Sequence, residues 1–385
     1  MPRTRFKNAS LVLPNRLVPN ASIDISDGKI EAIDGSTSAG IETSVDCTGL
    51  TLMPGFIDVH NHGAMGNDVN AADVNGLFEI ARFLATKGVT AWMPTLVPDS
   101  DENYERIISN IDRLMEIQPS ESIAQAVGVH YEGVFANEKM CGALRPEYFK
   151  KFTDGQLDQL PKLSRGVHMT TFAPEIDGGI GLARELTGQG WVASIGHTKA
   201  DIETLDKAFA AGARHVTHFF NAMTPMHHRD VGVVGWALTN PDVTFDIIAD
   251  GVHVHPKMLE FACRTKTPDR VSLISDSVVP TGLGDGQFEI WGENVSVRNG
   301  RTQNDRGSIA GSVITMLDAV NRMVSIGFTS AEVAQMASLN PAKLLGIDTE
   351  LGSIEQGKQA DIVALDSDGD VRLTMIGGRV VFDNR

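Results

Sequence analysis

Cysteine is scarce and odd in number: Cys47, Cys141 and Cys263 lie far apart in the chain. That argues against a disulfide framework and fits a reducing, cytoplasmic compartment. Cys141 has no His or second Cys beside it in sequence and reads as a bystander. No apolar run approaches the roughly 20 residues needed to span a bilayer, so no membrane partner is expected. Met1-Pro2-Arg3-Thr4-Arg5 is not followed by the apolar stretch of a secretory leader. Positive charge is also short. The 33 Lys and Arg stand against 49 Asp and Glu, a net charge of −16, which argues against nucleic acid. An anionic ligand would need a local cluster of cations. Internal repeats and low-complexity segments are missing too.

What is present is a globular composition: 385 residues, 42% hydrophobic and 21% charged. That length holds one large domain and a small one. Both ends read as β structure. Ala21–Ile25 and Lys29–Ile33 alternate around Asp27-Gly28, a hairpin signal. Near the other end, 372–375 and 379–382 flank Gly377-Gly378. The two ends are expected to pair into one β-sandwich, residues 1–53 with 352–385. Between them, 54–351 alternates strand and helix. Strands are predicted at 56–60, 89–95, 125–131, 167–172, 191–196, 215–218, 243–248 and 271–275. Helices are predicted at 73–86, with Asp73 as cap, and at 200–211 and 312–325. Eight such units predict an α/β fold, a (β/α)8 TIM-like barrel. A doubly wound sheet is the rival. Polar residues at the C-ends of six strands favour the barrel, which brings those ends around one point. Residues 280–311 read as an excursion, with Phe288–Val297 alternating toward a hairpin turn at Asn299-Gly300.

His60 and His62 end the first strand of that series. Residues two apart on a strand share a face, so both imidazoles can reach one metal ion. Glu132 follows the third strand, His197 the fifth, His218 the sixth and Asp276 the eighth. A carboxylate with two imidazoles is a catalytic ligand set for zinc or a similar divalent ion. Such an ion lowers the pKa of a bound water to about 7. A free carboxylate, here Asp276, can take the proton and pass it to a leaving group. A single strand-end His is more often a packed residue; the whole series is what carries weight. His130 reads either as support for the ligands or as core. His215 has the opposite strand parity from His218. His168 and His255 read as structural, and Asp58 as a carboxylate deeper in the barrel. The loop Asn221–Arg229 and His253 also fall on the active face. Arg229 offers a forked donor suited to phosphate or carboxylate; the alternative is a solvated surface loop.

With these motifs the chain resembles the N-acetylglucosamine-6-phosphate deacetylases of the amidohydrolase superfamily. The matching stretches include Pro54–Gly63, His130-Tyr131-Glu132-Gly133, Gly196-His197-Thr198, Thr217–Met223, His227-His228-Arg229, Ala249–His253 and Ser275-Asp276, in family order. The resemblance implies that Glu132, His197 and His218 hold the main divalent metal, most readily zinc, with Fe, Mn, Co or Ni as substitutes. His60 and His62 would support a second, giving one or two per subunit. It implies Asp276 as general base and then acid. Ala143, Asn221, Ala222, His228 and His253 would hold an amino-sugar phosphate. Arg229 would reach it from the neighbouring subunit of a homodimer. Val134, Leu144, Ser277 and Val231 depart from the usual pattern, and none of them replaces a ligand or the base. The rival activities are deacetylation of the galactosamine epimer or of an unphosphorylated N-acetyl compound, and hydrolysis of another N-acyl or cyclic amide. A catalytically silent barrel is the rival of a different class.

Overall fold

The computed structural model describes residues 3–34, 40–153, 157 and 160–385. Met1 and Pro2, which begin the stretch read against a leader, lie outside the described residues. The middle of the chain forms eight parallel strands: Phe56–Asn61, Val89–Leu96, Gly128–Phe135, Val167–Phe172, Val192–Ile195, His215–Val216, Thr244–Ile248 and Val271–Ile274. Each pairs with the next. The ring closes where the Asp276 N–H donates to the His60 carbonyl over 2.9 Å and where Asn61 bridges Ser277. These strands are apolar on both faces because both are covered, by helices outside and by barrel filling inside. Val59, Met93, Met169, Ile248 and Ile274 supply part of that filling.

The helices begin where the sequence supplies caps. Asp73 accepts from Gly76 N ahead of Val74–Thr86, whose buried residues Leu77, Ile80, Ala81 and Leu84 form one face. Ile202–Ala210 starts at Asp201. Met316–Ser325 starts later than the predicted 312, because Thr315 and Asp318 form a capping box there.

The two chain ends pair as expected. Thr51–Pro54 runs antiparallel to Ile362–Leu365, with Leu52 opposite Ala364. An eight-stranded sheet results, with its own apolar cluster that includes Phe6, Leu11, Ile23, Leu52 and Leu373. The turns at Asp27-Gly28 and Gly377-Gly378 both have positive φ at their two central residues, the geometry of hairpin turns that follow strand twist.

The excursion differs from its reading. Phe288–Val297 is not one alternating strand. Gly286–Ile290 turns at Trp291-Gly292 into Glu293–Arg298, which turns at Asn299-Gly300 into Arg301–Asn304. The first turn was hidden because tryptophan is not a turn residue.

Candidate active site

His60, His62, Glu132, His197, His218 and Asp276 converge at the C-terminal mouth of the barrel. Glu132 sits inside its strand rather than after it. Pairing with the next strand shifts register between Glu132 and Phe135, an irregularity that re-aims side chains at a strand end. Gly133 permits it. Its φ is +70°, and a Cβ there would lie 2.3 Å from Leu144 Cδ1.

Glu132 Oε1 lies 3.1 Å from His197 Nε2 and 3.1 Å from His218 Nε2. Its Oε2 lies 3.3 Å from His62 Nε2. His60 Nε2 is 3.5 Å from Glu132 Oε1 and 3.0 Å from His62 Nε2. Two potential metal-holding groups follow, His60–His62–Glu132 and Glu132–His197–His218, all buried, with Glu132 common to both. Backbone carbonyls orient two of the rings: His197 Nδ1 is 2.7 Å from Met140 O and His62 Nδ1 is 3.2 Å from Thr95 O. A ring that donates through Nδ1 presents a bare lone pair at Nε2 when neutral. Lone pairs then face a carboxylate at contact distance, an arrangement that protons or a shared cation must reconcile. The donor set therefore fits a divalent ion.

The charges agree with that. Burial pushes the His62 imidazole down, but hydrogen bonds and charge from Asp276 and Glu132 outweigh it and leave it raised to about 10. His218 is likewise raised to about 9, with Glu132 as the main opponent of burial. Burial pushes the Glu132 carboxyl up, and the His60 charge with bonds from His197 and His218 brings it well below its ordinary range. Asp276 is also lowered: burial raises it, and the His60 charge and the His62 contact overcome that. Its Oδ1 lies 3.4 Å from His62 Nε2 and 3.6 Å from His60 Nε2.

His197, His218 and Asp276 have φ of +47°, +34° and +49°. Such backbone costs on the order of 1–3 kcal/mol per residue and persists only where its surroundings enforce it. Asn137 N donates to His197 O over 3.0 Å, and Asn221 N to His218 O over 3.0 Å. The His218 amide is held by the Asp246 carboxylate. Ser312 N donates to Asp276 O over 2.7 Å.

The remaining predicted residues divide. Ala143, Asn221, Ala222 and His253 line a cavity of about 300 Å³ together with His62, Glu132, His197, His218 and Asp276. His253 Nδ1 is 2.6 Å from Asp250 Oδ2, which leaves Nε2 as its outward nitrogen. His228 and Arg229 do not line that cavity. They stand on the exposed loop 225–231, with Arg229 Nη1 2.6 Å from His228 Nε2. His130 is both core and support: its Nε2 meets Thr171 Oγ1 at 2.7 Å and its ring packs edge-on against His60 at 4.7 Å. Asp58 lies deep, accepting from Ser275 Oγ at 2.6 Å and Asn61 Nδ2 at 3.1 Å. His215 pairs with Asp246 and Thr244 rather than with the cluster around Glu132. His168 stacks on Trp191, and His255 accepts from Lys257 N at a helix start. Cys141 is a free thiol. Sequence reasoning missed Trp291, Gly142, Ser308 and Ile309, which also line the cavity. Trp291, an aromatic followed by Gly inside an alternating run, carried the one usable signal.

The fold and this site define a metal-dependent hydrolase barrel, and the sequence comparisons agree. Residues 51–381 match the amidohydrolase family, and the chain belongs to that family. It is 34% identical to the N-acetylglucosamine-6-phosphate deacetylase of Bacillus subtilis (strain 168), over 98% of this chain and 96% of that protein. It is 36% identical to the N-acetylgalactosamine-6-phosphate deacetylase of Escherichia coli O157:H7, over 92% and 93%. Among solved structures, the N-acetylglucosamine-6-phosphate deacetylase of Pasteurella multocida superposes with a TM-score of 0.90 at 27% identity, over 98% of this chain and 99% of that one. A mutant of the Mycobacterium smegmatis enzyme in complex with N-acetyl-D-glucosamine-6-phosphate superposes with 0.89 at 27% identity, over 99% and 100%.

Proposed function

We propose that this chain removes the acetyl group from an N-acetylhexosamine 6-phosphate, N-acetylglucosamine 6-phosphate first, giving the amino-sugar phosphate and acetate. The observation that carries the reading is the meeting of two metal-holding groups on Glu132 beside an ionised Asp276 in one cavity. A divalent cation held there, zinc in our reading, would supply polarisation of the amide carbonyl and a more acidic water. Asp276 takes the proton of the attacking water and returns it to the departing nitrogen. Glu132, His197 and His218 would hold the main ion, and His60 and His62 with Glu132 would hold a second. Asn221, Ala222 and His253, on loops after the sixth and seventh strands, receive the phosphate.

The dimer belongs to the same proposal. The exposed loop carrying His228 and Arg229 also exposes Met226 and Val231, apolar surface suited to a second copy. Arg229 of one subunit would then meet the phosphate in the other, supplying locally the positive charge that the −16 chain lacks overall. We place the enzyme in the cytoplasm, on its three widely spaced free cysteines. No helix among the described residues is long and apolar enough to cross a membrane. Relatives of both epimer names match at similar identity, so the gluco and galacto substrates are assayed together. Acetate release from both 6-phosphates and from the unphosphorylated sugars, with zinc and other divalent ions, tests the proposal. Turnover confined to the phosphates supports it; no release from any of them overturns it.

A further inference from the structure

Trp291 occupies a position that local backbone preference would give to Asn, Asp or Gly. It is the first central residue of the two-residue turn between Ile290 and Glu293, with φ +54° followed by Gly292 at +81°. A bulky aromatic there is strained. Its indole packs edge-on against the ligand His62, with ring centroids 5.2 Å apart and an interplanar angle of 78°. The hairpin behind it is tied to the loop lining the catalytic cavity: Arg306 pairs with Glu293 at 2.8 Å and donates to Ala143 O over 3.1 Å. Trp291 also lines a second cavity of about 570 Å³, whose other walls include Asp68, Asn70, Asp99, Arg106 and Arg145. One indole thus stands between two spaces, and the outer one is the larger.

The ring order of the barrel says which part of the substrate it meets. Asp68 and Asn70 follow the first strand and Asp99 the second, while Asn221 follows the sixth and His253 the seventh. In a ring of eight, the sixth strand faces the second and the seventh faces the third. In a hexosamine 6-phosphate the amide on C2 and the phosphate on C6 project from opposite ends of the sugar. With the phosphate on the Asn221–His253 side and the amide at the ligands, the acyl chain points toward Trp291.

We propose that Trp291 is the specificity-determining wall of the acyl pocket: it stops the pocket at the length of an acetyl group and closes it from the larger cavity behind. This rests on the function proposed above. Trp291→Ala joins the two spaces, so longer N-acyl groups gain room, while Trp291→Phe keeps a ring in place.

The test compares kcat/KM for N-butanoyl and N-acetyl hexosamine 6-phosphate in the zinc-loaded enzyme. The butanoyl-to-acetyl ratio is expected to rise at least about tenfold in Trp291→Ala, the scale set by one or two methylenes in a pocket, and to stay within about twofold in Trp291→Phe. Should the alanine variant not fold, Trp291→Leu carries the same expectation with a smaller rise. An unchanged ratio in a folded, metal-loaded variant overturns the inference while wild-type acetate release stands. No wild-type release from the N-acetyl substrate overturns the proposed function, and this inference with it.

Discussion

The Asp276 amide donates to the His60 carbonyl over 2.9 Å. Together with the Asn61–Ser277 bridge, that bond closes the barrel between its eighth and first strands, and it holds the proposed base beside a proposed metal ligand. The Asp276 carboxylate, 3.6 Å from His60 Nε2, owes its place to the same closure that makes the fold a ring.

Metal loading should release protons. Without an ion, His62 holds its proton to about pH 10 and His218 to about 9, so both are protonated at neutral pH. A cation needs their lone pairs and must displace those protons. Affinity for zinc is therefore expected to weaken as pH falls, with about two protons released per chain near pH 7, one from each of these imidazoles. Calorimetry in buffers of different ionisation enthalpy measures that number. Binding with no proton release would contradict the protonated imidazoles.

Stoichiometry divides the ligand set. Glu132 is shared by the group of His60 and His62 and the group of His197 and His218. His60→Gln with His62→Gln is expected to lower bound zinc from two per chain to one. His197→Gln should remove the main ion and with it activity. Elemental analysis of the purified variants checks both. Two ions retained in the double variant would show that the pair does not hold one.

Asp361 sets a pH dependence of stability away from the site. Burial raises its carboxyl to about 6, against hydrogen bonds from Gly377 N and Gln359. A raised carboxyl favours the fold in its protonated form. That contribution is full below about 3.8 and is lost as pH rises through about 6. Asp361→Asn keeps an uncharged acceptor, so it should gain on wild type by up to about 3 kcal/mol between pH 4 and 7. Urea melts across that range measure the difference. Parallel pH profiles would show that Asp361 ionises in the fold as freely as in the unfolded chain.

The barrel was legible because its strands are covered on both faces and so stand out as apolar runs, with each site residue marking a C-end. His60 and His62 were legible through strand alternation together with the series of polar residues at later strand ends. Glu132 was read as standing just past its strand, because the register shift that carries it inside depends on Gly133 and on the neighbouring strand. Trp291 was missed for a related reason. A turn at positive φ with tryptophan in it contradicts local preference, and packing against His62 and the apolar cluster of Val278 and Ile290 helps hold it there. The carbonyls of Met140 and Thr95 that orient His197 and His62 carry no sequence signal, since any residue could supply them.

Asp276→Asn is the most direct measurement. The amide keeps the shape of the side chain but cannot carry a proton between water and leaving nitrogen. Acetate release from N-acetylglucosamine 6-phosphate should fall by about 10²–10⁴-fold, the range for a lost general acid–base, with zinc content unchanged. Turnover near the wild-type rate in a variant that still holds its metal would contradict the assignment of Asp276, and with it the account of how this site works.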